Sequence, residues 1–400
     1  MSTREVWVTG LGVISAAGEG IDALSRALRS SVTAATMPAT GEYWLGRAPE
    51  ASIGREGKRL DRSARFFLAS AREAWRRAGL EAADFDHGRA AVLEGSSVGP
   101  MADLLSSAQR RATSVRPEPV RPSDLVRQML GAGGAAFAQE MGLEGAVYLV
   151  SAGSISAALA VAEGFWKIQL GLADIVVAGG AECPLHADII NTFASAGVLA
   201  NAGTAGAPCR PFDIDRCGTM LGEGGSALVL EDAAHARARG ATPLAVIVGA
   251  GLTCESAGMT SPDPSGRGVS TVVTQALMGT DRNSLGWVKA HGTGTRANDA
   301  AELRGLAAAL GEGLGTCPVT SLKPLLGHCL GASGGIEAVA TILALGDGIV
   351  PPTLGTTRLD PELPRCLIPI ERLPARAPVA LLLSESFGGR CAALALRQAA

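Results

Sequence analysis

Ser151-Ala152-Gly153-Ser154-Ile155-Ser156-Ala157-Ala158-Leu159-Ala160-Val161-Ala162 closes one short apolar run, turns on small residues and opens a helix that is Ala-rich on every face. A helix without a polar stripe is wrapped by other layers rather than laid on a surface. Leu326 to Ala340 repeats the pattern of strand end, small-residue turn and apolar helix, and Val6-Trp7-Val8-Thr9-Gly10-Leu11-Gly12 is echoed by Val246-Ile247-Val248-Gly249-Ala250-Gly251. The echoes predict an internal duplication, with an N-terminal half over residues 1–240 and a C-terminal half over 241–400, joined near Glu231–Thr242. Short apolar runs separated by helical patterns are the mark of parallel strands covered on both faces. They fall at Val6–Ile14, Ala90–Gly95, Ala146–Val150 and Asp174–Gly179, then at Leu244–Leu252, Gly286–Ala290, Pro318–Ser321 and Val379–Ser384. Helical patterns run over Arg62–Ala78, Ser154–Gln169 and Gly335–Leu345. The expected architecture is α/β, two sheets with helices between and around them. The longer first half holds two insertions, Met37–Arg59 and Met101–Gln128, as candidate surface and access elements.

Composition narrows the function. Four hundred residues at 47% hydrophobic content bury a sizeable core, and the 52 glycines are dispersed rather than low-complexity, which points to close packing and tight turns. A net charge of −3 argues against nucleic acid as the main partner. The eight cysteines form no CxxC pair and no compact metal spacing, so they read as reduced packing residues. The first residues, Met1-Ser2-Thr3-Arg4-Glu5, lead straight into a strand without a signal-peptide pattern. No apolar stretch approaches the roughly 20 residues of a membrane span. A soluble, cytoplasmic protein is expected.

Five segments carry a family resemblance, in order and across nearly the whole chain. They are Val8-Thr9-Gly10-Leu11-Gly12; Arg210-Pro211-Phe212-Asp213 with Arg216-Cys217-Gly218 and Gly222-Glu223-Gly224-Gly225; His291-Gly292-Thr293-Gly294-Thr295 with Asn298-Asp299; Lys323 with Gly327-His328 and Gly331-Ala332-Ser333-Gly334-Gly335-Ile336-Glu337; and Phe387-Gly388-Gly389. In these the chain resembles the β-ketoacyl synthases. The resemblance implies a thiolase-like αβαβα sandwich, dimeric, acting on acyl chains that an acyl carrier protein brings on its own phosphopantetheine, with no cofactor or metal of its own. It implies a thiolate nucleophile at a helix N-terminus, where backbone N–H groups lower the thiol pKa. It further implies that His291 and His328 polarise a malonyl thioester oxygen as carbon dioxide leaves. Lys323 would hold the second histidine's site with Glu337 buried behind it, Phe387 would gate the acyl site, and Thr293 and Thr295 would support the first histidine.

The nucleophile segment departs from the pattern. Where the family reads Thr-Ala-Cys, this chain reads Ser151-Ala152-Gly153, and glycine cannot form an acyl thioester. Ser154 is expected to point elsewhere on the turn, with no base for it. Room for a thiol at 153 is expected, so that Gly153→Cys should be tolerated. Other family positions drift too: Cys217 for an aspartate, Ser386 for a glycine, Glu385 for an aromatic, Arg390-Cys391 for Thr-Asn, and Glu255-Ser256-Ala257-Gly258 for Asp-Ala-x-His. His87, His186 and His235 read as structural.

The leading expectation is a subunit like a chain-length factor, paired with a cysteine-bearing ketosynthase across an interface that includes Ala146–Val150. Against it, both histidines and Lys323 are kept, which chain-length factors of aromatic polyketide systems tend to lose. The alternatives are a homodimeric 3-oxoacyl synthase whose cysteine was replaced by design, and a malonyl-carrier decarboxylase. The basic run Arg55, Lys58, Arg59, Arg62 and Arg65 is either a solvated face or the dock for the acidic carrier protein.

Overall fold

The computed structural model describes residues 4–35, 42–54, 57, 59–115, 119–201 and 209–399. Among the described residues ten strands form the main path of the large sheet: β1 Val6–Ser15, β2 Ala90–Gly95, β3 Val147–Val150, β4 Ile175–Glu182, β5 Gly224–Asp232, β6 Ala245–Cys254, β7 Leu285–Lys289, β8 Val319–Thr320, β9 Val379–Ser386 and β10 Arg390–Gln398. Their spatial order is β8-β7-β9-β10-β6-β1-β5-β4-β2-β3. Numbered within its own half, each set of five has the order 3-2-4-5-1, so the two halves share one topology. The sheets join edge to edge where Val6, Trp7 and Val8 of β1 meet Ile247, Val246 and Ala245 of β6.

Five helices matter most: α1 Arg62–Arg77, α2 Ser156–Gln169, α3 Arg267–Ala276, α4 Arg296–Leu310 and α5 Ser333–Gly346. Three apolar cores separate five layers. The central core sets α2 and α5 between the sheets, a second lies under α1, and a third under α3 and α4. Strand alternation feeds them: on β4, Val176 and Ala178 enter the central core while Ile175 and Val177 enter the one under α1. On β9, Ala380 and Leu382 face inward, and Leu381 and Leu383 face α3 and α4. Because both faces are covered, these strands read as continuous apolar runs. The motif glycines Gly334 and Gly335 let α5 approach its neighbours closely. A Cβ on the first would lie 2.7 Å from Ala158 Cβ of α2, and on the second 2.3 Å from Ser226 Oγ of β5.

The expectation of parallel strands holds for part of each sheet. β2 pairs parallel with β3 and β4, and β7 with β8 and β9. β5 and β10 run antiparallel to their neighbours, as do β1 and β6 to each other. β5 and β10 are additional to the eight strands expected: Gly224-Gly225-Ser226 opens β5 and Glu231-Asp232 closes it, and arginines flank the apolar centre of β10. The insertion Met101–Gln128 contributes helices Met101–Thr113 and Ser123–Gln128, with Met101, Leu104 and Leu125 exposed. Among the described residues no helix is long and apolar enough to cross a membrane, and no cluster of His, Cys, Asp or Glu could hold a metal ion.

Candidate functional site

The turn between β3 and α2 is tied by Ser156, whose Oγ accepts from Ala152 N (2.9 Å) and donates to Gly153 O (2.6 Å). This places Gly153 at φ +65°, in the left-handed region that glycine enters without strain. The space beside it is occupied. A Cβ on Gly153 would fall 2.1 Å from Ser386 Oγ, at the end of β9, and that hydroxyl accepts a hydrogen bond from Ser154 N at 2.9 Å. The expected tolerance of Gly153→Cys is therefore corrected. The Ser386 hydroxyl stands in the volume that a Cβ at 153 would take, and the positive φ strains any side chain there.

Ser154 requires a second correction. It lies on the wall of the cavity, half-buried, and its Oγ sits 3.2 Å from His328 Nε2. A base is in place. His328 precedes α5, its backbone N donates to Met220 O (2.6 Å), and its Nδ1 lies 2.9 Å from Ser333 Oγ. His291 follows β7, where Glu302 of α4 accepts from the backbone N–H of His291 (2.5 Å) and of Gly292 (2.8 Å). Asp299 fixes the same loop by accepting from Gly294 N (3.1 Å) and from Phe212 N (2.8 Å). Thr293 and Thr295 hydrogen-bond to each other at 2.9 Å beside it. The two imidazoles meet edge to face, centroids 5.2 Å apart. His291 Nδ1 is buried and has no hydrogen-bond partner among the described residues.

Behind the histidines lies a buried charge cluster. Glu337 of α5 accepts from Lys323 Nζ at 2.8 Å and from Lys289 Nζ, which also donates to Leu383 O at 2.9 Å. Burial opposes ionisation of Glu337, but the two ammoniums outweigh it and hold its carboxyl below the usual range. Burial lowers Lys289 to about 8. Burial, followed by the charge of Lys323, holds both His291 and His328 well below their ordinary value, so both rings are neutral at physiological pH. Lys323 and Glu337 thus form the anticipated pair. Lys289 was missed, although a lysine inside the apolar strand Leu285–Lys289 was itself the signal.

Gly153, Ser154, His291 and His328 open on one cavity of about 530 Å³ that Glu385, Phe387 and Arg390 also line. Phe387 is half-exposed on the cavity wall and stacks on Phe193, ring centroids 6.5 Å apart. Glu385 is buried with Oε1 unpartnered among the described residues. Burial and then the neighbouring carboxylates Glu302, Glu255 and Asp299 push its pKa well up, so it is a neutral acid.

The basic run resolves differently from a continuous docking face. Arg55 and Lys58 lie outside the described residues, and Arg59 is exposed. Arg62 turns inward to Glu223 (2.9 Å) and also bridges to Glu50, and Arg65 pairs with Glu50 at 3.4 Å. Their positive charge is largely answered within the fold.

Residues 3–236 match the family described as beta-ketoacyl synthase, N-terminal domain, and residues 244–357 match beta-ketoacyl synthase, C-terminal domain. The chain is 36% identical to the 3-oxoacyl-acyl-carrier-protein synthase 2 of Mycobacterium tuberculosis, over 85% of this chain and 81% of that one. Among solved structures it is similar to the ishigamide ketosynthase/chain length factor, with 28% identity, TM-score 0.90 and full coverage of both chains. It is also similar to AntDE:AntF, a type II PKS acyl-carrier protein in complex with its ketosynthase bound to the hexaketide, with 26% identity, TM-score 0.92 and full coverage of both.

Proposed function

Since this chain belongs to the β-ketoacyl synthase family, we propose that it works as a chain-length-factor-like subunit in fatty acid or polyketide synthesis. In this role it pairs in the cytoplasm with a cysteine-bearing ketosynthase and shapes the acyl tunnel that an acyl carrier protein serves. One observation carries the reading: Ser386 Oγ fills the space a Cβ at Gly153 would need. A synthase disarmed at 153 alone would keep the family's glycine at 386. The second change counts against a designed substitution and for a site rebuilt around the absence of a thiol.

The sheet edge supports a pairing role. β3 hydrogen-bonds to β2 on one side only, and Val147 and Tyr148 are more than a third exposed. An unpaired apolar edge strand is a template for association. An obligate interface there would bury upwards of about 2,000 Å². Co-expression with cysteine-bearing ketosynthases from the same source, followed by native mass measurement, tests the proposal. A one-to-one heterodimer is expected, and a homodimer in the presence of every such partner would refute it.

A second reading, malonyl-carrier decarboxylation, is favoured by the two neutral imidazoles at the cavity. Loss of carbon dioxide needs donors to the enolate oxygen and no thiolate. His291 and His328 are those donors in this reading.

A further inference from the structure

The cavity holds the parts of an acyl-transfer site centred one residue beyond the glycine. Ser154 Oγ lies 3.2 Å from His328 Nε2, and His328 Nδ1 lies 2.9 Å from Ser333 Oγ. When Nδ1–H donates to Ser333, Nε2 is left bare and facing the Ser154 hydroxyl, which is the tautomer a general base requires. Two donors surround the same space. The His291 ring stands against His328, and the Arg390 guanidinium lies 3.8 Å from where a Cβ on Gly153 would be. Arg390 makes no side-chain hydrogen bond or ion pair among the described residues, so its charge is available to a developing oxyanion.

We propose that Ser154 is an acyl acceptor, forming an oxygen ester with the acyl group of a thioester that enters the cavity. Ser154 Oγ bonds to the thioester carbonyl carbon, the carbonyl π pair moves onto oxygen beside Arg390 and His291, and the hydroxyl proton passes to His328 Nε2. As the carbonyl re-forms, the C–S bond breaks and the sulfur takes that proton from His328, leaving as a free thiol. Water attacking the ester with His328 again as base returns Ser154 and releases a carboxylic acid. The low pKa of His328 keeps Nε2 unprotonated throughout the neutral range. This activity does not depend on whether the chain pairs with a ketosynthase, so it stands or falls separately from the proposed subunit role.

The test is incubation of the purified full chain with octanoyl-pantetheine, followed by intact and peptide mass measurement. One octanoyl group is expected on the peptide containing Ser154, and it should survive neutral hydroxylamine. Hydroxylamine removes thioesters, so adventitious labelling of the exposed Cys217 and Cys254 is discounted. Ser154→Ala should lose the stable label. His328→Gln, folded by circular dichroism, should slow labelling by about a hundredfold or more. Ser154→Cys, which keeps a side chain of similar size, should carry a label that hydroxylamine strips. Absence of both a stable label and Ser154-dependent octanoate release from the folded wild type would overturn the proposal. So would a hydroxylamine-stable label that persists in Ser154→Ala or Ser154→Cys.

Discussion

Placing a thiol at the turn before α2 by Gly153→Cys alone should damage the protein. At φ +65° a residue with a Cβ costs about 1–2 kcal/mol more than glycine. The 2.1 Å overlap forces Ser386 to rotate, which removes its hydrogen bond from Ser154 N, a loss of about 1 kcal/mol. With that hydroxyl turned away the next atoms lie at 3.4 and 3.8 Å, which is ordinary contact. The single substitution should therefore destabilise the fold by about 2–3 kcal/mol. Ser386→Gly removes the overlap and leaves mainly the backbone cost, although on its own it is destabilising because the Ser154 N–H loses its acceptor. The two changes share the loss of that one hydrogen bond, so they should couple favourably by about 1 kcal/mol in a double-mutant cycle. Equilibrium urea unfolding of wild type, both single variants and the double variant measures that coupling. Alkylation by iodoacetamide reports whether the new thiol is reactive. A Gly153→Cys protein as stable as wild type, or a coupling energy near zero, would refute the reasoning.

Other expectations follow from the same geometry. If malonyl-carrier decarboxylation is measurable, His291→Ala and His328→Ala should each reduce it by about a hundredfold, because the enolate oxygen loses a donor; an unchanged rate in the double variant removes both from the mechanism. Glu337→Gln should cost about 3–5 kcal/mol in urea unfolding, since the buried amines of Lys289 and Lys323 lose their counter-ion, and a loss below 1 kcal/mol would show that the cluster is not a charge pair in the folded state. Burial raises Glu94 to about 8 and Glu182 to about 7, from an ordinary 4.5. The native protein then binds more protons than the unfolded chain from about pH 4.5 upward, and these two groups make stability fall as pH rises through about 8. Glu94→Gln, which keeps an acceptor for Gly134 N, should melt higher than wild type by a margin that grows between pH 6 and 8.5; a constant margin would contradict the raised carboxyl.

Much of this was legible in the sequence, for identifiable reasons. The duplication showed because α2 and α5 are apolar on every face, a pattern that only a central layer permits. His291 and His328 were found through the glycines around them, and Glu337 through its place in the same motif. What escaped depends on contacts between distant segments. Ser386 was visible as a departure from glycine, but its meaning required knowing that it faces residue 153 across more than two hundred residues of chain. The Ser154 hydroxyl was misread because direction on a tight turn is set by φ, which the order of residues does not reveal. Arg62 and Arg65 read as surface charge because their partners Glu50 and Glu223 flank them only after folding.

The shared 3-2-4-5-1 strand order has a consequence for where the cavity lies. In each half a turn follows the third strand and leads into the central helix, so the pseudo-twofold relation of the halves sets the turn at Gly153 against the turn at His328. The cavity thus forms where the loops that lead into the two central helices meet. Neither half alone contains a site. A chain divided in the connection between β5 and β6 would leave Ser154 on one fragment and His328 on the other, and only their reassociation along β1 and β6 would bring the two within reach.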